Sequence, residues 1–224
     1  MGIQVIGNGG TVAEVDGTTW RSLRATLRSE EFGSLGAYRL GMRSGTMPAA
    51  LAANSEIFQF RWPDATRLCL VKKVTISAAA ILAATTALNS SFRMCVARSW
   101  TTAGSGGTRA VLTGNNCKLR TSMGTSLVND AGISSTAALT TGTKTLDTED
   151  LASVAFGIGT GAITTSMPFT IMPRTILFDS EDTLGHPLVL AQNEGFVVRT
   201  GLVFPATMTW GFCVDVQWSE VNSF

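Results

Sequence analysis

The sequence predicts an all-β protein: an antiparallel β-sandwich of the jelly-roll type, with an extended N-terminal arm and long loops rich in glycine and threonine. Three observations predict this class. The 224 residues include 30 threonines and 23 glycines, and threonine favours strands whereas glycine forms turns. Several segments alternate between apolar and polar residues with a period of two. Polar stretches with turn-forming residues separate these segments.

The N-terminal quarter has a different composition from the rest of the chain. Apolar residues are sparse before Ile57, so we expect residues 1–55 to form an arm and residues 56–224 to form the core domain. Three apolar residues of the arm recur at near-helical spacing, which fits a short amphipathic helix or an irregular extended segment: Trp20, Leu23 and Leu27. The glycines expected to interrupt regular structure after them are Gly33, Gly36, Gly41 and Gly45.

Strands are predicted in the first half of the core from alternation. Phe58, Phe60 and Trp62 are expected to face the core, with Gln59 and Arg61 on the opposite face. Residues 68–76 predict one or two further strands, and residues 92–98 predict a half-buried strand. Residues 78–88 are ambiguous: their alanines favour a helix, whereas their threonines favour a strand, and both alternatives stay open.

The second half begins with a loop-rich insertion at residues 101–150, which carries short strands at most. Residues 187–190 and 195–199 are separated by a polar turn of hairpin size, so we expect them to pair with each other. The last predicted strand spans residues 208–218. Its alternate residues form an unbroken apolar face: Met208, Trp210, Phe212, Val214, Val216 and Trp218.

Composition also limits the cellular environment. Four cysteines without a CxxC pair indicate reduced thiols rather than a metal site. No basic segment followed by an apolar segment opens the chain, so we expect synthesis in a reducing cytoplasm. Residues 74–92 and 151–173 have no charged side chain, but their serines, threonines and glycines argue against membrane insertion.

Catalytic motifs are not found in the sequence, and we expect a protein that is not an enzyme and has no cofactor or metal. His186 is the only histidine, and its position before a proline indicates a loop or the entry to a strand. The glycines at 157–161 lack the spacing of a dinucleotide-binding loop. Acidic clusters at 147–150 and 179–182 indicate solvated loops rather than calcium sites.

Two surfaces remain as candidate contact sites. A carbohydrate-binding surface is a weak alternative, because only Trp20 and Trp100 fall out of phase with the core. The arginines of the arm are the better candidate, since they could bind an acidic protein surface. Their alternative role is a solvated face that balances the acidic residues of the arm. The candidate contact residues are Trp20, Arg21, Arg24, Arg28, Arg39 and Arg43.

Four segments resemble a group of uncharacterised proteins encoded by tailed bacteriophages and their prophages, and the resemblance runs from about residue 12 to the end of the chain. These segments are residues 58–62, 96–99, 113–124 and 188–197. The resemblance implies a structural component of the virion. The β-rich, weakly charged composition then best fits a capsid decoration or cement protein.

A decoration protein of this kind would be a dimer or trimer on the outside of the capsid shell, where it binds the major capsid protein through the arm and the loops of residues 101–150. The net charge of +1 argues against direct binding to nucleic acid. Three alternatives stay open: a tail, collar or receptor-binding component, a carbohydrate-binding module, and, with the least support, a carbohydrate-active enzyme.

Overall fold

The computed structural model describes residues 36–82, 84, 87–159, 169–222 and 224, together with two short strands within residues 15–23. Apart from one 3-10 helix, Ser180–Thr183, the regular structure of these residues is entirely β-strand. The strands are β1 (Val15–Asp16), β2 (Ser22–Leu23), β3 (Ala37–Arg43), β4 (Glu56–Trp62), β5 (Leu68–Leu82), β6 (Leu88–Thr102), β7 (Thr108–Arg109), β8 (Asp130–Ile133), β9 (Thr143–Leu146), β10 (Ala152–Ile158), β11 (Phe169–Asp179), β12 (Leu188–Leu190), β13 (Glu194–Thr200) and β14 (Thr209–Val221).

Two antiparallel sheets contain the long strands, and they confirm the predicted β-sandwich. The seven-stranded sheet has the order β10-β6-β13-β4-β8-β7, with β9 also paired to β6. The five-stranded sheet has the order β11-β5-β14-β3, with β12 also paired to β5. Four pairs are nested along the chain, because β3 pairs with β14, β4 with β13, β5 with β11, and β6 with β10.

The core lies between the two sheets and is rich in aromatic rings. Phe60 of the seven-stranded sheet meets Trp218 of the five-stranded sheet edge to face, with ring centroids 5.3 Å apart. Phe92 likewise lies 5.9 Å from Trp210 across the core. These four rings are fully or almost fully buried. Large aromatic side chains dominate the buried area of a core, so these contacts hold the sheets face to face.

Most of the predicted strands are present. β4, β6 and β14 cover the segments predicted around Phe58, Phe92 and Trp210, and the apolar face of β14 is buried as expected. The stretch predicted as one or two strands at 68–76 is part of the single 15-residue strand β5. None of the described residues forms a helix that is long and apolar enough to span a membrane.

The described residues of the ambiguous stretch at 78–88 form no helix. Ala78–Leu82 continue β5, and β6 begins at Leu88. The helix alternative is therefore wrong for this part of the stretch. β5 lies between β11 and β14, so its backbone has hydrogen-bonding partners on both sides, and this pairing outweighs the helical preference of alanine.

The C-terminal part of the predicted arm belongs to the core. β3 pairs with β14, and its residues Tyr38 and Leu40 are buried. The prediction that glycines interrupt regular structure is wrong for Ala37–Arg43. Gly41 lies inside the strand, and the lack of a side chain there leaves room for Asp215 of the neighbouring strand. A Cβ at position 41 would lie 2.7 Å from a carboxylate oxygen of Asp215. Around Trp20 the structure describes only Ser22–Leu23, which form β2 and pair with β1, so the helix alternative is wrong at these two residues; the rest of that segment, with Trp20 and Leu27, lies outside the described residues.

The predicted C-terminal hairpin is also wrong. β12 pairs with β5 in one sheet, whereas β13 pairs with β4 and β6 in the other. Residues 191–193 therefore connect the two sheets rather than two neighbouring strands. A short polar connection between two apolar segments fits either arrangement, and pattern alone does not distinguish a hairpin from a crossing between layers.

Candidate functional site

An open groove lies on the outer face of the five-stranded sheet and has a volume of about 640 Å³. Ser77 and Ala79 of β5 and Cys213 of β14 form part of its floor, while Arg43 and Arg174 stand at its borders on β3 and β11. The floor is low because the outward-facing residues at the centre of this sheet are small. The groove therefore gives a partner close access to the sheet, with an arginine on either side.

The charges beside the groove are arranged around one acidic residue. Asp215 contacts the guanidinium groups of Arg39 at 3.4 Å and Arg174 at 3.3 Å, and the hydroxyl of Thr75 at 3.4 Å. The three charged side chains are partly exposed, whereas Thr75 is buried, and exposed ion pairs add about 0–1 kcal/mol to stability. Arg43 has no ion-pair partner among the described residues, so this face carries an excess of positive charge.

Two of the six predicted contact residues lie on this face. Arg39 and Arg43 are both exposed on β3, one inside the charged group around Asp215 and the other at the border of the groove. The structure thus brings these two arginines together, as neighbours of a groove that sequence reasoning missed. The other four predicted contact residues lie outside the described part of the chain: Trp20, Arg21, Arg24 and Arg28.

A second group of polar residues is buried on the outer face of the seven-stranded sheet, and sequence reasoning missed it as well. Glu56 accepts hydrogen bonds from Gln59 at 2.6 Å and from Lys144 at 2.8 Å. Arg109 contacts Asp130 at 3.1 Å beside them. Gln59 lies on the face opposite Phe58 and Phe60, as predicted, and residues 101–150 fold over this face and bury it completely.

Burial changes the acid–base properties of this group. The pKa of the Asp130 carboxyl is raised because desolvation outweighs the attraction of Arg109, Arg61 and Lys144. The pKa of the Lys144 amine is lowered, again mainly by desolvation, and the neighbouring Glu56 opposes this shift. Both shifts favour the neutral form of the side chain.

The remaining sequence predictions about sites have different outcomes. Trp100 is fully buried, so the prediction that it is exposed is wrong. The ring packs against Gly195, where an added Cβ would lie 2.9 Å from the ring carbons. Trp62, Trp210 and Trp218 are buried in the core as predicted. His186 is exposed in the loop before β12, as expected.

The two acidic clusters form ion pairs with neighbouring strands. Asp147 and Asp150 contact arginines of β6, and Asp179 contacts Lys73 at 2.5 Å. No group of three or more potential metal ligands is found within the described ranges. These clusters are thus engaged in protein contacts at the positions where the sequence predicted solvated loops.

All four cysteines are free, and they differ in accessibility. Cys69 and Cys95 are buried, and desolvation raises the pKa of Cys95 to about 11 and that of Cys69 well above its usual value. Cys213 is exposed at the floor of the groove. Because the thiolate is the reactive form, these positions should differ strongly in reactivity.

We expect a thiol reagent to modify Cys213 of the native protein first, while Cys69 and Cys95 react only after unfolding. Peptide mass spectrometry after timed labelling would measure this order. The half-buried Cys117, whose pKa is raised by desolvation, serves as an internal control of intermediate rate. Labelling of Cys69 at the rate of Cys213 would contradict the described packing.

No family model matches the chain, and no curated protein matches it. Its function is therefore argued from the fold, the groove and the charges around it.

Proposed function

We propose that the protein is a structural component of a bacteriophage virion, a decoration or cement protein that binds the outside of the capsid shell. The observation that carries this proposal is the open groove with its arginine borders on the outer face of the five-stranded sheet. An open groove across a sheet face suits contact with a large partner, since stable protein interfaces need about 800 Å² from each side.

The strand order supports the proposal. The first long strand pairs with the last, the second pairs with the second to last, and the pairing continues inwards in this way. Such nested pairing is the arrangement of an antiparallel ribbon that is wrapped into two sheets. We interpret it as a jelly roll, an architecture that viral capsid domains share with lectins and cupins. This support is an analogy of fold, and the resemblance of the sequence to bacteriophage proteins points in the same direction.

The charge of the face indicates the chemistry of the partner. Arg43 has no acidic partner among the described residues, and Arg39 and Arg174 share the single carboxylate of Asp215. An acidic surface of the major capsid protein would complement this excess of positive charge. A dimer or trimer would repeat the face around a symmetry axis of the shell and multiply the contact.

The proposal predicts that Arg43→Glu weakens binding to capsids by about tenfold or more, because it places a like charge against the acidic partner. Co-sedimentation of the purified full chain with capsids that lack it would measure the affinity. Arg120→Glu, an exposed residue of the loops at 101–150, is the matched variant. If Arg120→Glu weakened binding to capsids and Arg43→Glu did not, the contact would lie on the loops and not on the sheet face.

The location in the particle tests the function itself. Cryo-electron microscopy of the intact virion should show many copies on the outer surface of the shell. Copies at one vertex or along the tail would favour the tail, collar or receptor-binding alternative, and absence from the particle would overturn the proposal. A truncation that tests the predicted arm must end before Gly36, because β3 is part of the core sheet.

A further inference from the structure

The buried polar group on the seven-stranded sheet contains an amine and a carboxamide that share one hydrogen-bond acceptor. Nζ of Lys144 lies 2.8 Å from Oε2 of Glu56, and Nε2 of Gln59 lies 2.6 Å from the same oxygen. The backbone oxygen of Thr140 accepts a second hydrogen bond from Nε2, at 2.8 Å. The carboxylate of Glu56, a proton acceptor, therefore contacts both a nucleophile, the amine of Lys144, and an amide leaving group, Nε2 of Gln59.

Water has little access to these three side chains. Lys144 and Glu56 are each only 2% exposed, and Gln59 is fully buried. The ring of Trp100 lies 4.4 Å from Nζ of Lys144, and Gly104 packs so closely that an added Cβ would lie 2.5 Å from Oε1 of Gln59. Desolvation lowers the pKa of Lys144, which makes the neutral, nucleophilic amine easier to form.

The carbonyl oxygen of the same carboxamide faces a positive charge. Both terminal nitrogens of Arg109 lie 3.5 Å from Oε1 of Gln59, and Asp130 and the backbone oxygen of Gly104 hold the guanidinium in place. A positive group at this position stabilises the negative charge that develops on a carbonyl oxygen when an amine attacks the carbon. The second oxygen of Glu56, Oε1, is buried without a hydrogen-bond partner among the described residues, which leaves it free to hold a proton.

We propose that Lys144 and Gln59 join in an intramolecular isopeptide bond, with Glu56 relaying the protons. Nζ of Lys144 bonds to the side-chain carbonyl carbon of Gln59, and the bond from that carbon to Nε2 breaks. Of the three protons of the lysine ammonium group, one stays on the new amide nitrogen, and two leave with Nε2 through Glu56. The products are the isopeptide bond and one ammonium ion, and Glu56 is regenerated as the carboxylate.

The bond would fasten the loop-rich region to the core. It joins β4 to β9 and closes a loop that contains all of β5 to β8, so it would restrict the unfolded chain as a disulfide does, without an oxidising environment. This activity is independent of what the groove on the other sheet binds.

The decisive experiment is mass spectrometry of the purified full-length protein. We expect the intact mass to be lower than the sequence mass by one ammonia, and proteolysis to release a branched peptide that contains both Gln59 and Lys144. Lys118 provides an internal control, because its amine contacts the carboxamide of Asn115 at 3.4 Å on the surface with no carboxylate described between them. No branched peptide is expected there.

Variants then test the assignment of roles. Lys144→Arg and Glu56→Gln should each restore the full mass, whereas Lys118→Arg should leave the ammonia loss unchanged. Circular dichroism of each variant shows whether it is folded. Separate, unmodified peptides of Gln59 and Lys144 from the folded wild-type protein would overturn the proposal. Loss of one water would overturn it too, because it would indicate a bond between Lys144 and Glu56.

Discussion

Glu220→Ala is expected to lower the free energy of unfolding by about 3–5 kcal/mol. The side chain is 1% exposed, and its carboxyl group accepts hydrogen bonds from Ser126 Oγ at 2.6 Å, the backbone N–H of Leu127 at 3.0 Å and Nε1 of Trp218 at 3.2 Å. Alanine would leave these donors buried without an acceptor, at about 1–3 kcal/mol for each. Urea denaturation followed by tryptophan fluorescence would measure the loss.

Two further variants separate burial from charge. Glu181→Ala, at an exposed position, should change the stability by no more than about 0.5 kcal/mol.

Desolvation raises the pKa of Glu220, so the stabilisation from this group is complete below the unfolded pKa and falls as the pH rises through the folded pKa. Stability relative to Glu220→Gln should therefore decline with rising pH. A loss below about 1 kcal/mol for Glu220→Ala would show that this buried contact is not formed.

Trp210→Ala is expected to lower the free energy of unfolding by about 3–5 kcal/mol, because it leaves a cavity in the aromatic core. Trp210 is fully buried and stacks on Phe204 with ring centroids 4.2 Å apart, and Phe212 lies 5.2 Å away. Gln217→Ala, at an outward position of the same strand, is the control and should have little effect. Chemical denaturation of both variants gives the comparison.

Replacement by phenylalanine sharpens this prediction. Nε1 of Trp210 is buried without a hydrogen-bond partner among the described residues, whereas Nε1 of Trp218 donates to Glu220. Trp218→Phe removes a hydrogen bond to a buried carboxyl group, but Trp210→Phe removes an unsatisfied donor. We therefore expect Trp218→Phe to lower the free energy of unfolding by about 1.5–3 kcal/mol more than Trp210→Phe does. Equal losses would contradict the assigned hydrogen bonding.

Alternation was a reliable guide where one face of a strand meets the core. Phe60 and Trp218 are predicted to face inwards and do so, because a period of two fixes which side chains share a face. The same period says nothing about what covers the opposite face. Gln59 lies on the predicted face of its strand, but the residues that bury it show no periodicity of their own, so its burial could not be predicted.

The candidate sites depend on contacts between distant segments. Glu56 and Lys144 meet because β9 pairs with β6 and thereby places the loop-rich region over the sheet. Arg43 and Arg174 border one groove because their strands lie at opposite edges of the five-stranded sheet. Arg39 and Arg43 could be singled out from charge alone, but their acidic neighbour Asp215 belongs to a strand near the other end of the chain.

The nested pairing has a consequence for how the molecule forms during translation. β14 lies between β3 and β5, so these two earlier strands have no shared partner until the ribosome has released residues 209–221. β5 can pair with β11 and β12 before that point, but the five-stranded sheet is complete only after β14 has been made. Until then the apolar faces of β3 and β5 lack the strand that lies between them, and such unpaired strands favour wrong pairing and aggregation.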